Sequence, residues 1–235
     1  MRPAVLARKT HKWLALLIGI QALVWAASGL YMVAVPIGII HGDHLVHAHG
    51  DAALPLDQVR IGIAEVRRSH GEVRSIRLKS LLGTPYYVVE KAGGAVLVDA
   101  VTGRERTGLD EATARALARQ YYTGEGEIVS LRLLEEAPQE IQGRPAPLWQ
   151  ARFAGWNDPT LYISHTTGDL LARRHELWRV FDFLWMLHIM DYETREDVNN
   201  TLLRVATLSA VVGTGSGLWL LFHSFRRRQH PAGRR

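Results

Sequence analysis

Residues 13–35 form a run of 23 without one charged side chain. At the helical rise such a run extends about 35 Å, more than the roughly 30 Å hydrocarbon core of a bilayer. It predicts a membrane-crossing helix that Pro36 closes. The competing assignment is a cleaved secretory signal, whose apolar region is about 7–15 residues long. The run is longer than that and no small-x-small cleavage site follows it, which favours an uncleaved anchor. A second uncharged run covers residues 205–222, inside a predicted helix over 201–223. Trp219 and Phe222 stand near its basic end, where interfacial aromatics concentrate. Gly213, Gly215 and Gly217 lie within it, either as the common glycines of membrane helices or as small residues that admit a neighbouring helix or a flat group.

Charge then orients the two spans. The tail over 1–12 carries Arg2, Arg8, Lys9 and Lys12 and no acid. The tail over 224–235 carries Arg226, Arg227, Arg228, Arg234 and Arg235, again without an acid. Against a net charge of +5, these nine basic residues leave the rest of the chain acidic by four. Basic residues flanking apolar runs read as topology signals, so nucleic acid is not an expected partner. Both tails are expected in the cytoplasm of a bacterial cell, both spans in its inner membrane, and the residues between them in the periplasm. The chain has no cysteine, which excludes disulfides, thiolate-bound iron–sulfur clusters and a cysteine nucleophile. Residues 177–190 are apolar but short, and include Arg179 and Asp182. With residues 191–200 they are expected to form an amphipathic or re-entrant helix and loop on the periplasmic membrane face, Trp178 and Trp185 serving as anchors.

Between the spans the chain reads as a histidine-rich linker over 36–54 and two related repeats over 55–107 and 108–175. The first opens with a predicted helix over 56–69, followed by strands over 73–78, 85–89 and 95–99, with a hairpin at Gly93-Gly94. The second opens with a helix over 110–120 capped by Asp110, then strands over 128–134, 148–153 and 160–163. The matching segments are Val98-Asp99-Ala100-Val101-Thr102-Gly103 and Ile163-Ser164-His165-Thr166-Thr167-Gly168. Each repeat is therefore expected to be one helix plus a three- or four-stranded antiparallel sheet. One helix on one sheet buries too small a core to be very stable alone, which argues for pairing of the repeats. The fold class expected is an α+β membrane protein, with two transmembrane helices flanking the two-repeat domain.

These repeats resemble PepSY domains, which carry a helix, a hairpin and a closing Asp-x-x-Thr-Gly turn. The flanks resemble the PepSY-associated transmembrane proteins. The matching stretches are His11-Lys12-Trp13, Gln21 with Trp25 and Ser28-Gly29-Leu30-Tyr31-Met32, Ile40-His41-Gly42-Asp43-His44-Leu45, and Leu187-His188-Ile189-Met190-Asp191-Tyr192. Larger relatives include periplasmic ferric-siderophore reductases with more helices, which bind haem between membrane helices through histidines. The resemblance implies haem b as cofactor, iron uptake as the setting and electron transfer as the activity.

The chain has 11 histidines, and their grouping selects the candidates. His11 opens the first span and His223 closes the second. Antiparallel spans would bring them to one depth at the cytoplasmic edge, as a pair of axial imidazoles requires. His188 sits in the apolar segment over 177–190, with Asp191 or Asp43 as its expected hydrogen-bond partner. His41 and His44, near Asp43, His47 and His49, form a candidate metal loop, because neutral imidazole and carboxylate suit iron, copper, zinc or nickel. The Arg173-Arg174-His175-Glu176 run is expected to contact lipid headgroups. Two helices enclose a haem poorly and four enclose it well, so a homodimer is the expected assembly. No nucleotide or flavin motif appears, so a separate cytoplasmic flavin or iron–sulfur reductase would supply electrons. The alternative is a non-catalytic interaction or regulatory module held at the membrane by its helices.

Overall fold

The computed structural model describes residues 3–47 and 53–227, with side chains over 12–13, 15–47 and 53–219. The chain divides into two units, Met1–Pro36 with Val180–Arg235, and Ile37–Arg179.

The first unit is helical. Helix α1 is Pro3–Ala34, and α6, the last helix, is Thr201–Arg227. Within them Ala15–Ala34 and Thr201–Trp219 are long and apolar enough to cross a membrane. Ile18, Gln21, Trp25, Ser28, Met32 and Val35 are buried or half-buried at spacings of three and four, the stripe of a helix packed on one side. Leu16, Leu17, Ile20, Leu23 and Leu30, on the remaining surface, are exposed. Helix α6 has the same character, half-burying Leu203, Ala206, Ala210 and Gly213. A methyl group on Gly213 would stand 3.4 Å from Ile18 Cδ1, whereas Gly215 and Gly217 have no neighbour within 4 Å. Gly213 alone of the three therefore meets the other helix.

The second unit opens with a helical turn, α2 (Ile37–Ile40), and then holds both repeats. The first repeat is α3 (Ile63–His70) followed by β1 (Ser75–Leu81), β2 (Thr84–Lys91), β3 (Gly94–Asp99) and β4 (Glu105–Arg106). The second is α4 (Glu111–Tyr121) followed by β5 (Ile128–Leu134), β6 (Leu148–Phe153), β7 (Thr160–Ser164) and β8 (Leu170–Arg174). Each sheet is a four-stranded antiparallel meander, in the orders β1-β2-β3-β4 and β5-β6-β7-β8. Asp110 caps α4 by accepting the Thr113 N–H at 2.7 Å.

Equivalent hydrogen bonds relate the two repeats. The Ala100 N–H donates to the Pro85 carbonyl, and the His165 N–H to the Pro147 carbonyl. The Ala100 carbonyl accepts from Ile61 N–H, and the His165 carbonyl from Leu109 N–H. Two residues past each proline a large side chain reaches back to the same place. Tyr87 Oη donates to the Ile61 carbonyl at 2.9 Å, and Trp149 Nε1 to the Leu109 carbonyl at 3.1 Å.

One core joins the repeats. Leu81, Val88 and Leu97 of the first sheet pack with Leu109, Leu117, Trp149, Phe153, Leu161 and Ile163 of the second repeat. Leu45 and Val46 enter the same core, and Val46 bridges to Tyr122. Part of the segment expected as a linker is thus packed structure. One element expectation is corrected, and the four-stranded alternative holds for both sheets. Residues 56–69 are not one helix, because Arg60 and Ile61 N–H both turn to the Ala100 carbonyl and hold Val59–Ile61 out of helical geometry until Gly62. Strands β4 and β8 lack the apolar runs that mark a strand, and emerge only through pairing with β3 and β7.

Candidate functional site

Helix α5 (Glu176–Ile189) carries His188 in its last turn, and α1 presents Trp25 and Ser28 to it. Ser28 is fully buried. Its hydroxyl lies 2.7 Å from the Val24 carbonyl, 3.1 Å from the Trp25 carbonyl and 2.8 Å from His188 Nδ1. A serine hydroxyl has one proton, and a carbonyl can only accept. The hydroxyl therefore donates to Val24, and His188 donates through Nδ1–H to the serine oxygen. Any other assignment sets two acceptors face to face at 2.7 Å. In the neutral ring this leaves the lone pair on Nε2, which has no hydrogen-bond partner among the described residues. Trp25 Nε1 donates to the His188 carbonyl at 2.8 Å and fixes the backbone as well. Along α5 the rings of Phe181, Trp185 and His188 run nearly parallel, with interplanar angles of 8° and 5°.

The partner expected for His188 is thus corrected from a carboxylate to Ser28. Asp191 is occupied by its own loop. It accepts from Thr194 Oγ1 and from the N–H groups of Asp197, Glu196, Thr194 and Glu193. These bonds hold its carboxyl well below the usual carboxylate range. Asp43 forms an ion pair with Arg173.

No family model, curated protein or solved structure matches this chain.

The remaining histidines fall in different settings. The side chains of His11 and His223 lie outside the described residues, as does His49. His41 and His44 are exposed, and no group of three or more metal-ligating side chains forms among the described residues. Asp43 is tied to Arg173, whose Nε also donates to the His41 carbonyl at 2.8 Å. His44 instead has its ring 5.9 Å from that of His175.

His175 is fully buried, so within its basic run it faces the protein interior. Its Nε2 donates to the Ile39 carbonyl at 2.9 Å, and its Nδ1 accepts from Asn157 Nδ2 at 2.9 Å. Burial pushes its pKa below the ordinary 6.5, the Ile39 bond opposing that shift. Arg174 lies over the Trp178 ring, and Arg179 pairs with Glu140 and Glu176. Ser28 and His175 are the residues sequence reasoning missed. A signal for Ser28 was present: Gln21 and Ser28 are the two amide- or hydroxyl-bearing aliphatic side chains in an apolar run, seven residues apart on one face.

Proposed function

We propose that this chain is a PepSY-type protein of the bacterial inner membrane that binds haem b and passes electrons in ferric iron or siderophore reduction. A separate cytoplasmic flavin or iron–sulfur reductase would supply the electrons. The observation that carries this reading is the proton arrangement at His188. A metal-ligating histidine characteristically donates its other N–H to a fixed acceptor, which sets the ring and raises its basicity. Ser28 is such an acceptor, and in the neutral ring Nε2 is left with the lone pair an iron ligand would need. Gln21, two turns before Ser28, adds a buried amide Nε2 without a partner among the described residues, a polar atom that a bound group or water would satisfy.

In this reading bound haem supplies the one-electron chemistry. His188 would hold the iron through Nε2, with Ser28 and Trp25 fixing the imidazole and its backbone, and the apolar residues of α1 and α5 would exclude water. His11 and His223 are the candidate axial pair for a second site toward the basic tails, which the positive-inside rule assigns to the cytoplasm. A second copy of the chain would bring the helices around each site to four.

The absorption spectrum of full-length protein purified from haem-replete cells tests this. A Soret band is expected, diminished in His188→Ala. In Ser28→Ala, haem affinity should fall about 10- to 100-fold, the usual effect of losing such a supporting bond. A wild-type protein without a Soret band overturns the proposal and leaves the interaction module.

A further inference from the structure

The two repeats close the same hairpin differently. In the first, Lys91 pairs with Gly94, and only Ala92 and Gly93 make the turn. In the second, six residues over 154–159 separate β6 from β7. The sibling sheet shows that the hairpin closes without them. Among them is Trp156, 81% exposed and the most exposed large apolar side chain described in residues 37–179.

The tip is held firmly. Asn157 and Asp158 take φ angles of 76° and 45°, the left-handed region that asparagine and aspartate enter more readily than other non-glycine residues. The Asn157 carbonyl accepts from Glu176 N–H, its Oδ1 accepts from Leu177 N–H, and its Nδ2 donates to His175. Asp158 pairs with Arg152. A single exposed apolar residue is ordinary. An inserted turn, fixed by these bonds, that offers an indole to water is a presentation device.

Its surroundings indicate the partner. Through His175 the tip is bonded to Ile39, five residues past the end of the Ala15–Ala34 span. Five extended residues reach roughly 17 Å at most, so Ile39 stays within that distance of the span's end. At the end of β8, where Arg174 pairs with Thr160 just past the tip, a cavity of about 200 Å³ is lined by His41, Arg144, Arg173 and Arg174, among apolar residues of β8. Tryptophan and arginine on one repeat is the composition that settles at a lipid–water interface carrying anionic headgroups.

We propose that Trp156 is an interfacial anchor that seats the second repeat on an anionic lipid surface; this rests on the reading that α1 and α6 cross the bilayer. The test uses the full chain in liposomes containing phosphatidylglycerol. The emission of wild type minus that of Trp156→Phe isolates this indole. It should be blue-shifted, quenched by lipids brominated near the headgroup and shielded from aqueous acrylamide. A red-shifted component open to acrylamide overturns the anchor. Because the chain has no cysteine, a fluorophore on Leu23→Cys gives an independent probe of the span. Quenching of Leu23 by deeply brominated lipid with Trp156 in water refutes the anchor alone. If Leu23 is not quenched either, the membrane reading fails with it.

Discussion

At the scale of single residues, two histidines with similar surroundings have opposite proton assignments. His188 gives its Nδ1 proton to Ser28 and keeps Nε2 open. His175 gives its Nε2 proton to Ile39 and receives Asn157 on Nδ1. Protonating His175 would place a proton where a donor already points, inside the core. The sign of the linkage follows. The unfolded histidine titrates near 6.5 and the folded one lower. Stability from this residue is therefore complete above pH 6.5. It declines as the pH falls from there toward the folded pKa, because only the unfolded chain takes up the proton. The thermal midpoint of the unit over residues 37–179 is expected to be flat between about pH 8 and 7 and to fall below about 6.5. His175→Gln should remove that part of the slope while lowering stability by about 2 kcal/mol at neutral pH, through lost buried hydrogen bonds. Melts across pH for both proteins check this. A slope unchanged in the variant assigns the titration elsewhere.

At the scale of elements, the repeats offer an internal comparison. Their closing turns place Gly103 and Gly168 at φ angles of 73° and 70°, and each glycine N–H donates to the carbonyl of the residue four before it, Asp99 or Ser164. Alanine at Gly103 meets nothing closer than Ile61 at 3.6 Å, so its penalty is the left-handed backbone, about 1 kcal/mol. At Gly168 a methyl would stand 2.7 Å from Leu81 Cδ1 and 3.2 Å from Leu109 and Leu117. There the backbone term is joined by overpacking of about 1–3 kcal/mol. Gly168→Ala should therefore destabilise more than Gly103→Ala in denaturant titrations, and equal losses would mean Leu81 rotates away freely. The shared turn was legible in the sequence because the same residue types recur at the same spacing. The back-bonding of Tyr87 and Trp149 was not, since the two side chains differ chemically and only their position is common. Strand β8 was hidden as well: Leu-Leu-Ala-Arg-Arg has no alternation, and its place is set by β7.

At the scale of the whole molecule, residues 37–179 hold two repeats that cannot be separated without opening a common core. A polar contact accompanies it. Lys79 on β1 donates to Asp169 at 2.7 Å and to the Thr167 carbonyl at 3.0 Å, and Arg77 also pairs with Asp169. Burial pulls the Lys79 pKa down, while Asp169 is held below its ordinary value because these bonds outweigh its own desolvation. Asp169→Ala leaves a mostly buried ammonium without its counter-charge and should remove about 2 kcal/mol. Because the core is continuous, both repeats should be lost in one transition, monitored at Tyr87 and Trp149 together. Separate transitions would show that the repeats fold independently.

The amino-acid sequence determined what is local and periodic: two uncharged runs long enough to cross a bilayer, the Asp110 cap, most strands of both sheets and the recurrence of one turn. These follow from spacing along the chain, which alone fixes the faces of a helix or strand. Tertiary structure decided the pairings. Ser28 and His188 are 160 residues apart, and His175 and Ile39 are 136 apart. Asp43 and Asp191, which by charge and proximity were better candidates for His188, were taken by Arg173 and by a loop's own N–H groups. A hydrogen bond goes to whichever acceptor packing brings within 3 Å, and no spacing rule reaches that far along a chain.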